Sequence, residues 1–287
     1  MNMINYQGNN NLLVITKGHP FDKPAFFAMF DAMERYTWTH VEQPAATHLF
    51  RSDVLGEYAA FVLYDLPGIQ FRPGQAPEFV EPPPAMRAGF EALLAGGQPF
   101  VFLHHAIAGW PCWDRYAEVI GGRYFYKAAS YKGVWHEDSG YRHECRFSAE
   151  PVLDHPVTTG FEAGIEMIDE LYLYDTFEAG DADFLPLLRA RYPFVDREFY
   201  STREALAGRL YSNEGWSHKP GSDLIAWARR VGRSPIVYLQ GGDGPAMYAN
   251  AQFRRLLGNA IDWATGDAAR AWASRAAASP KREEMSR

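Results

Sequence analysis

Cysteine is scarce: Cys112 and Cys145 are the only two in 287 residues. Two thiols do not make the disulfide framework of a small secreted scaffold, and their spacing lacks the paired pattern of a zinc ribbon. Long apolar runs are missing too, since no stretch reaches the roughly 18–20 residues that span a bilayer. The opening MNMINYQGNN is polar, with neither the basic start nor the apolar centre of a secretory signal. A cytoplasmic protein with no membrane partner is therefore expected. Positive charge is in deficit, 28 Lys and Arg against 35 Asp and Glu, for a net charge of -7. Broad binding to a nucleic-acid backbone calls for the opposite sign, so no nucleic-acid partner is expected. Internal repeats and a linker long enough to divide the chain are also lacking.

Aromatic side chains, by contrast, are plentiful at 15% of residues, within a hydrophobic content of 47%. A chain of this length and make-up buries a sizeable core, and its aromatic faces are compatible with a carbohydrate site. Short apolar runs alternate with helical patterns. NLLVITK (11–17) reads as a buried first strand, followed by a helix with Phe26, Phe27, Phe30 and Met33 at helical spacing. TWTHVEQ, AAFVLYDLPG and PFVFLHH read as further strands, and PPPAMRAGFEALLAGG and WDRYAEVIGG as helices stopped by glycine. This alternation predicts an α/β domain, a parallel sheet with helices on both faces. RHECRFSAE and GIEMIDELYLYD read as strands, and LIAWARRVGRSPIVYLQGG as two strands around a Gly-Arg-Ser-Pro turn. Residues 176–222 are weakly periodic and read as an insertion or cap. In the last helix Phe253, Leu256, Leu257, Ala260, Ile261 and Ala264 share one face, and residues 266–287 read as a surface tail.

Ligands of doubly wound sheets bind beyond the carboxyl ends of the strands. That rule groups His19 after the first strand, Asp65 after the third, and His104 and His105 after the fourth. Neighbouring strand residues point to opposite faces, so both histidines reach one cleft only if the strand has already turned. Otherwise one of them packs in the core. An imidazole near neutral pH exchanges a proton or binds a metal. Cys112, beyond the strand end with Trp110 and Trp113, reads as scaffold rather than nucleophile. In LDHPVTTGFEAGIEMIDELYLYD, His155 opens a turn, and Asp169 and Glu170 interrupt an apolar strand where unpaired carboxylates are costly. Facing solvent they are unremarkable; facing the cleft with His19 or His105 they form an acid–base pair or a divalent-metal site. The spacing is not a ligand signature, so no residue is assigned to a metal and the cofactor is left unknown. YLQGGDGPAMY places glycines and Asp243 before a helix, where backbone N–H groups meet an anion or simply begin the helix. The Gly-Lys-Ser/Thr ending of a P-loop is absent. His136 and His143, in VWHEDSGYRHE, read as part of a solvated loop.

Taken in order, LLVITKGH, FVFLHHAIAGWPCWDRYAEVIGG, DHPVTTGFEAGIEMIDELYLYD and IVYLQGGDGPAMYANAQFRRLLGNAIDWA resemble the trehalose-utilization (ThuA-like) family. The most specific elements are His-Pro-x-Thr-x-Gly (155–160) and Asp-Glu-Leu-Tyr (169–172), with Trp-x-x-Tyr (113–116) and Gly-Gly (121–122) in the expected order. The resemblance implies a single α/β domain over 11–265, a flavodoxin-like three-layer sandwich with a mostly parallel central sheet, similar to class I glutamine amidotransferases. Amidotransferases keep a cysteine at the turn after a central strand. Here that turn is LHHAIAG, so glutamine hydrolysis through a thiolate is not expected. Two departures from the family pattern stand out. Gly241-Gly242 precede Asp243 where relatives often carry Gly-His, and GGRYFYKAAS supplies Tyr126 and Lys127 where a histidine is common.

The resemblance implies sugar catabolism, with a disaccharide or keto-sugar derivative as the small-molecule partner. The expected chemistry is acid/base, with His104 or His105 handling a proton and Asp169 or Glu170 as carboxylate partner. His19 and Asp243 would position hydroxyls, Trp110 or Tyr172 would stack on a ring, and Asp65 and His155 would add substrate contacts. Two alternatives remain open, a non-catalytic carbohydrate-binding or regulatory protein and a divalent-metal-dependent hydrolase. A homo-oligomer is compatible with all of them.

Overall fold

A computed structural model describes residues 10–72, 76–177 and 182–275. Nine strands run through its main sheet: β1 (Asn11–Lys17), β2 (Thr37–Glu42), β3 (Ala60–Asp65), β4 (Phe100–Leu103), β5 (Gly140–Pro151), β6 (Ile165–Leu173), β7 (Phe184–Arg191), β8 (Leu224–Val231) and β9 (Ser234–Leu239). Their order is β6-β5-β7-β8-β9-β4-β3-β1-β2, and a tenth short strand, Tyr200–Ser201, pairs with β5. β2, β1, β3, β4 and β9 are parallel to one another. β8, β7, β5 and β6 continue the sheet in antiparallel pairs.

The parallel strands β1, β3, β4 and β9 are buried on both faces, as their continuous apolar runs demand, while β2 is a half-buried edge. Leu12 and Val14 of β1 point to one core while Leu13 and Ile15 point to the other, and β3, β4 and β9 alternate in the same way. Helices α1 (Lys23–Asp31), α2 (Pro84–Gly96), α3 (Asp114–Ile120), α4 (Thr202–Leu206), α5 (Pro245–Ala249), α6 (Ala251–Thr265) and α7 (Asp267–Ala273) supply the covers. α1, α5, α6 and α7 close the first core, and α2 and α3 close the second, giving a three-layer sandwich. The apolar face anticipated for α6 is buried throughout, and Asn250 caps its start by accepting the N–H groups of Gln252 and Phe253.

Two segments differ from the sequence expectation. Within 176–222, residues 184–191 are a strand of the main sheet, and only the chain after it arches over the strand ends. Its weak periodicity reflects an antiparallel strand with a partly exposed face, which a core-strand pattern does not capture. Within 266–287, α7 is packed, with Ala269 and Ala273 buried and Trp272 against Trp263 at 5.5 Å between ring centres. The remainder of that tail, from 276 onward, lies outside the described residues. No helix among the described residues is long and apolar enough to cross a membrane.

Trp227, on β8, is fully buried between Tyr238 and Phe184, and its indole N–H donates to the Ile120 carbonyl at 2.6 Å. Trp227→Ala is expected to lower unfolding free energy by about 3–5 kcal/mol in denaturant titration. Trp135→Ala, at a hairpin tip where the ring is 63% exposed, is expected to change it by less than about 0.5 kcal/mol.

Candidate functional site

The C-terminal ends of β1, β3, β4 and β9 meet at one edge of the parallel half. β4 stops at Leu103 and the chain turns at once into a 3-10 segment, with His104 in the left-handed region at φ +48°. That early turn lets both histidines face the same end of the sheet. After β1 the chain reverses at Gly18 (φ +92°), where a Cβ would stand 2.7 Å from the Leu66 carbonyl oxygen. Only glycine fits, and it delivers His19 beside His105, their rings stacked 5.1 Å apart.

The antiparallel half curls over this edge. β6 lies four strands from β9 in the sheet order, yet Glu170 and Tyr172 from β6 touch His104 after β4, and Asp169 from β6 bonds the turn after β9. β5 helps through a bulge between Arg142 and Cys145, with Glu144 at φ +53°, which re-aims His143 toward the same place.

His104 is the hub. Its side chain is fully buried, and Nδ1–H donates to the Gln240 carbonyl at 2.8 Å. Nε2 therefore meets Tyr172 Oη at 2.7 Å, Glu170 Oε2 at 3.1 Å and Asp243 Oδ1 at 3.3 Å. Beyond the two carboxylates, His143 Nδ1 lies 3.1 Å from Glu170 Oε1 and 3.8 Å from Asp243 Oδ2. Burial opposes charge on His104, but the adjacent Asp243 and Glu170 outweigh it and hold its pKa well above the usual value. For Asp243 burial is likewise overcome by His104 and His143, and its carboxyl is held well below the ordinary range. His105 behaves in the opposite way, since burial and the neighbouring His104 and His19 push its pKa well below normal. Neither of its ring nitrogens has a well-formed hydrogen bond, the Tyr64 backbone offering at most a weak one.

In front of this cluster lies a cleft of about 390 Å³, lined by His19, His105, His143, Glu170 and Tyr172 together with aromatic walls. Tyr124, Tyr126 and Tyr141 form one wall, and Leu210 and Tyr211 from the arching segment form the rim. Tyr124 Oη is hydrogen-bonded to Thr202, whereas Tyr126 Oη is buried without a partner.

The structure thus brings His19, His105, Glu170 and Tyr172 to the cleft, with His104 directly beneath and Asp243 beside it. Four other expected site residues stand elsewhere. Asp169, on the opposite face of β6 from Glu170, accepts the backbone N–H groups of Gly242 and Asp243 at 2.7 and 3.0 Å. Gly242 adopts φ +119° in that turn, so Asp169 is the clamp that presents Asp243. Burial first of all pushes the Asp169 carboxyl up to about 7. Asp65 is sealed behind β3, bonded to Gln43 Nε2 at 2.9 Å, and burial pushes it up to about 7 as well. Trp110 packs its ring over Gly68, and its N–H bonds to the Pro67 carbonyl at 2.7 Å through the backbone. His155 caps the short turn at 156–158 and packs against Trp263 of α6, 4.7 Å between ring centres.

His143 and the tyrosine wall were not legible as a site. Nothing in the YRHE pattern reveals the bulge that turns His143 inward. His136, from the same segment, pairs with Asp175 at 2.6 Å and stacks on Phe125. Cys112 and Cys145 are both free thiols, and neither lines the cleft.

The model of the trehalose-utilisation (ThuA) family matches residues 11–264. No curated protein sequence matches the chain. Among solved structures, a ThuA-like protein from Bacteroides uniformis is similar over 92% of this chain and 94% of its own, with 16% identity and a TM-score of 0.59. A ThuA-like protein from Parabacteroides merdae covers 90% of each chain at 15% identity and a TM-score of 0.59. A cytoplasmic protein from Salmonella typhimurium shares the fold with a TM-score of 0.51 at 10% identity, over 88% of this chain and 98% of that one.

His155 gives the site's surroundings a pH signature of their own. Burial lowers its pKa from 6.5 to about 4, and its Nδ1 accepts the Val157 N–H at 3.2 Å, which requires an unprotonated nitrogen. Below pH 6.5 the unfolded chain takes up a proton that the folded chain refuses until about pH 4. His155 therefore contributes stability that is lost as pH drops through that window, opposite in sign to the contribution of the raised Asp65 and Asp169 carboxyls. His155→Asn, which keeps a capping acceptor but does not titrate, is expected to remove that contribution, leaving the variant relatively more stable at pH 4 than at pH 7 when compared with the parent in denaturant titrations. An unchanged slope would remove His155 from the effect.

Proposed function

The chain belongs to the trehalose-utilisation (ThuA) family, and from that premise we propose an enzyme that binds a sugar or keto-sugar derivative in the aromatic cleft. His105 moves the proton, and Glu170 supplies a fixed carboxylate partner in the same cleft. The observation that carries this reading is the pairing of aromatic walls with buried polar atoms that lack protein partners, namely both ring nitrogens of His105 and Tyr126 Oη. Each such atom costs about 1–3 kcal/mol while unmet, and a hydroxyl-rich ligand meets them. A cleft of about 390 Å³ falls in the size class of small-molecule sites.

The roles follow from position. His105 faces the cleft and is held neutral, the form that accepts a proton. Glu170 presents a carboxylate to the same space while its oxygens are held by His104 and His143. His104 has no path to the ligand and acts through others, fixing Glu170, Asp243 and the Tyr172 hydroxyl. A thiolate route is absent from this reading, because the turn after β4 carries His104 and neither cysteine reaches the cleft.

Binding without turnover is the competing reading. It is favoured by Gly241-Gly242 standing where relatives often carry Gly-His, and by Tyr126 and Lys127 where a histidine is common. A panel of disaccharides and their keto derivatives separates the two. Saturable binding in titration calorimetry is expected, with Tyr126→Phe weakening it by roughly tenfold. Turnover of a bound compound, lowered about 10²–10⁴-fold in a folded His105→Ala protein, supports the enzyme. Binding with no turnover of any compound supports the competing reading, and no binding at all overturns both.

A further inference from the structure

We propose that His104 Nε2, Glu170 Oε2 and Asp243 Oδ1 are the protein ligands of one divalent first-row transition-metal ion at the floor of the cleft. The proposal deepens the reading above and rests on the same cleft, though not on the identity of its substrate. Three observations carry it.

The first is spacing. Nε2 is 3.1 Å from Glu170 Oε2 and 3.3 Å from Asp243 Oδ1, and one donor atom from each of the three residues lies within 4.8 Å of the others. Ligands bonded at about 2.0–2.2 Å to a common ion, at tetrahedral or octahedral angles, stand roughly 2.9–3.6 Å apart.

The second is a mismatch of donors and acceptors. The His104 Nδ1–H is committed to the Gln240 carbonyl, so Nε2 offers at most one proton. Two carboxylate oxygens and the Tyr172 hydroxyl crowd on it. Asp243 Oδ1 is buried and has no hydrogen bond of normal geometry, although Nε2 stands 3.3 Å away. A cation shared among them satisfies all of these lone pairs.

The third is outer support of the kind metal ligands have. A backbone carbonyl fixes the imidazole tautomer, and His143 sits on the far oxygens of both carboxylates, leaving the near ones pointing inward. Asp169 holds the backbone that presents Asp243. One imidazole with two carboxylates is a mixed nitrogen and oxygen set, which suits Zn²⁺, Mn²⁺ or Fe²⁺ rather than Cu(I) or Ca²⁺. Glu170 also lines the cleft, so the ion's remaining positions open toward oxygen atoms of water or of a bound hydroxyl or carbonyl.

The test is calorimetric titration of the full-length, chelator-treated protein with ZnCl₂ and with MnCl₂, supported by elemental analysis. One equivalent of at least one ion is expected, with affinity falling at least about 100-fold in Glu170→Gln and Asp243→Asn, and about 10–100-fold in His143→Ala. His155→Asn, remote from the cluster, is the control and should bind as the parent does. Both amide variants remove a buried charge, and circular dichroism establishes that they fold. The absence of saturable binding to the parent, or unchanged affinity in folded Glu170→Gln, overturns the proposal. Sugar titration of the same protein, both chelated and metal-loaded, keeps the two readings apart. Saccharide binding without metal binding sinks the metal site alone, and metal binding without any saccharide binding sinks the sugar reading alone.

Discussion

A single imidazole held between a backbone carbonyl and two carboxylates organises the candidate site. His104 leaves β4 in a left-handed conformation that a non-glycine residue adopts at a cost, and the surroundings hold it there. Tyr238 donates to its carbonyl at 2.9 Å, Gln240 accepts from Nδ1, and Tyr172 stacks on its ring at 4.8 Å. Strain at one residue is tolerated because several packed elements over-determine its position. The same contacts tie the end of β4 to the end of β9 and to β6, so the conformation of one side chain couples both halves of the sheet.

That coupling explains why the antiparallel half matters. A parallel sheet alone would offer His19, His104, His105 and Asp243 at its strand ends, with no opposing wall. The curl of β5 and β6 brings Glu170, Tyr172, Tyr141 and His143 back across the edge. The bulge in β5 and the Asp169 clamp on the turn after β9 are the local devices that make the two sides meet. Asp169 and Glu170 illustrate the economy of a strand, in which neighbours point to opposite faces. One carboxylate builds the turn, and the next faces the cleft.

Much of this was legible in the residues. Apolar runs and helical patterns located β1, β3, β4, β9 and α6, and the strand-end rule grouped His19, His104 and His105 correctly in space. The rule failed for Asp65, because the last residue of β3 still lies within the strand and points into the core, where Gln43 meets it. Trp110 and His155 sit in recognisable motifs, yet each turned out to hold a turn against a neighbouring element. A sequence motif shows that a residue type recurs at a position and does not separate a folding role from a chemical one. His143 and the tyrosine wall were invisible for a different reason. Their convergence depends on sheet curl and one bulge, which are long-range properties with no local periodicity.

The energetics of the cluster argue that it was not built for stability. At about 3 Å and an effective dielectric near 20, each attraction between a charged His104 and a carboxylate is on the order of 5 kcal/mol. Repulsion between Glu170 and Asp243 offsets one of the two. What remains must meet a desolvation cost of several kcal/mol for each of three ions, two of them almost fully buried. The balance is at best near zero, and apolar residues of the same volume would pack this edge at least as well. Evolution of such an arrangement at an open cleft, with aromatic walls in front and a second layer of polar groups behind, makes sense when the charges act on something that enters. Low local dielectric then becomes an advantage, because the same field that is costly to assemble acts on a ligand with little screening.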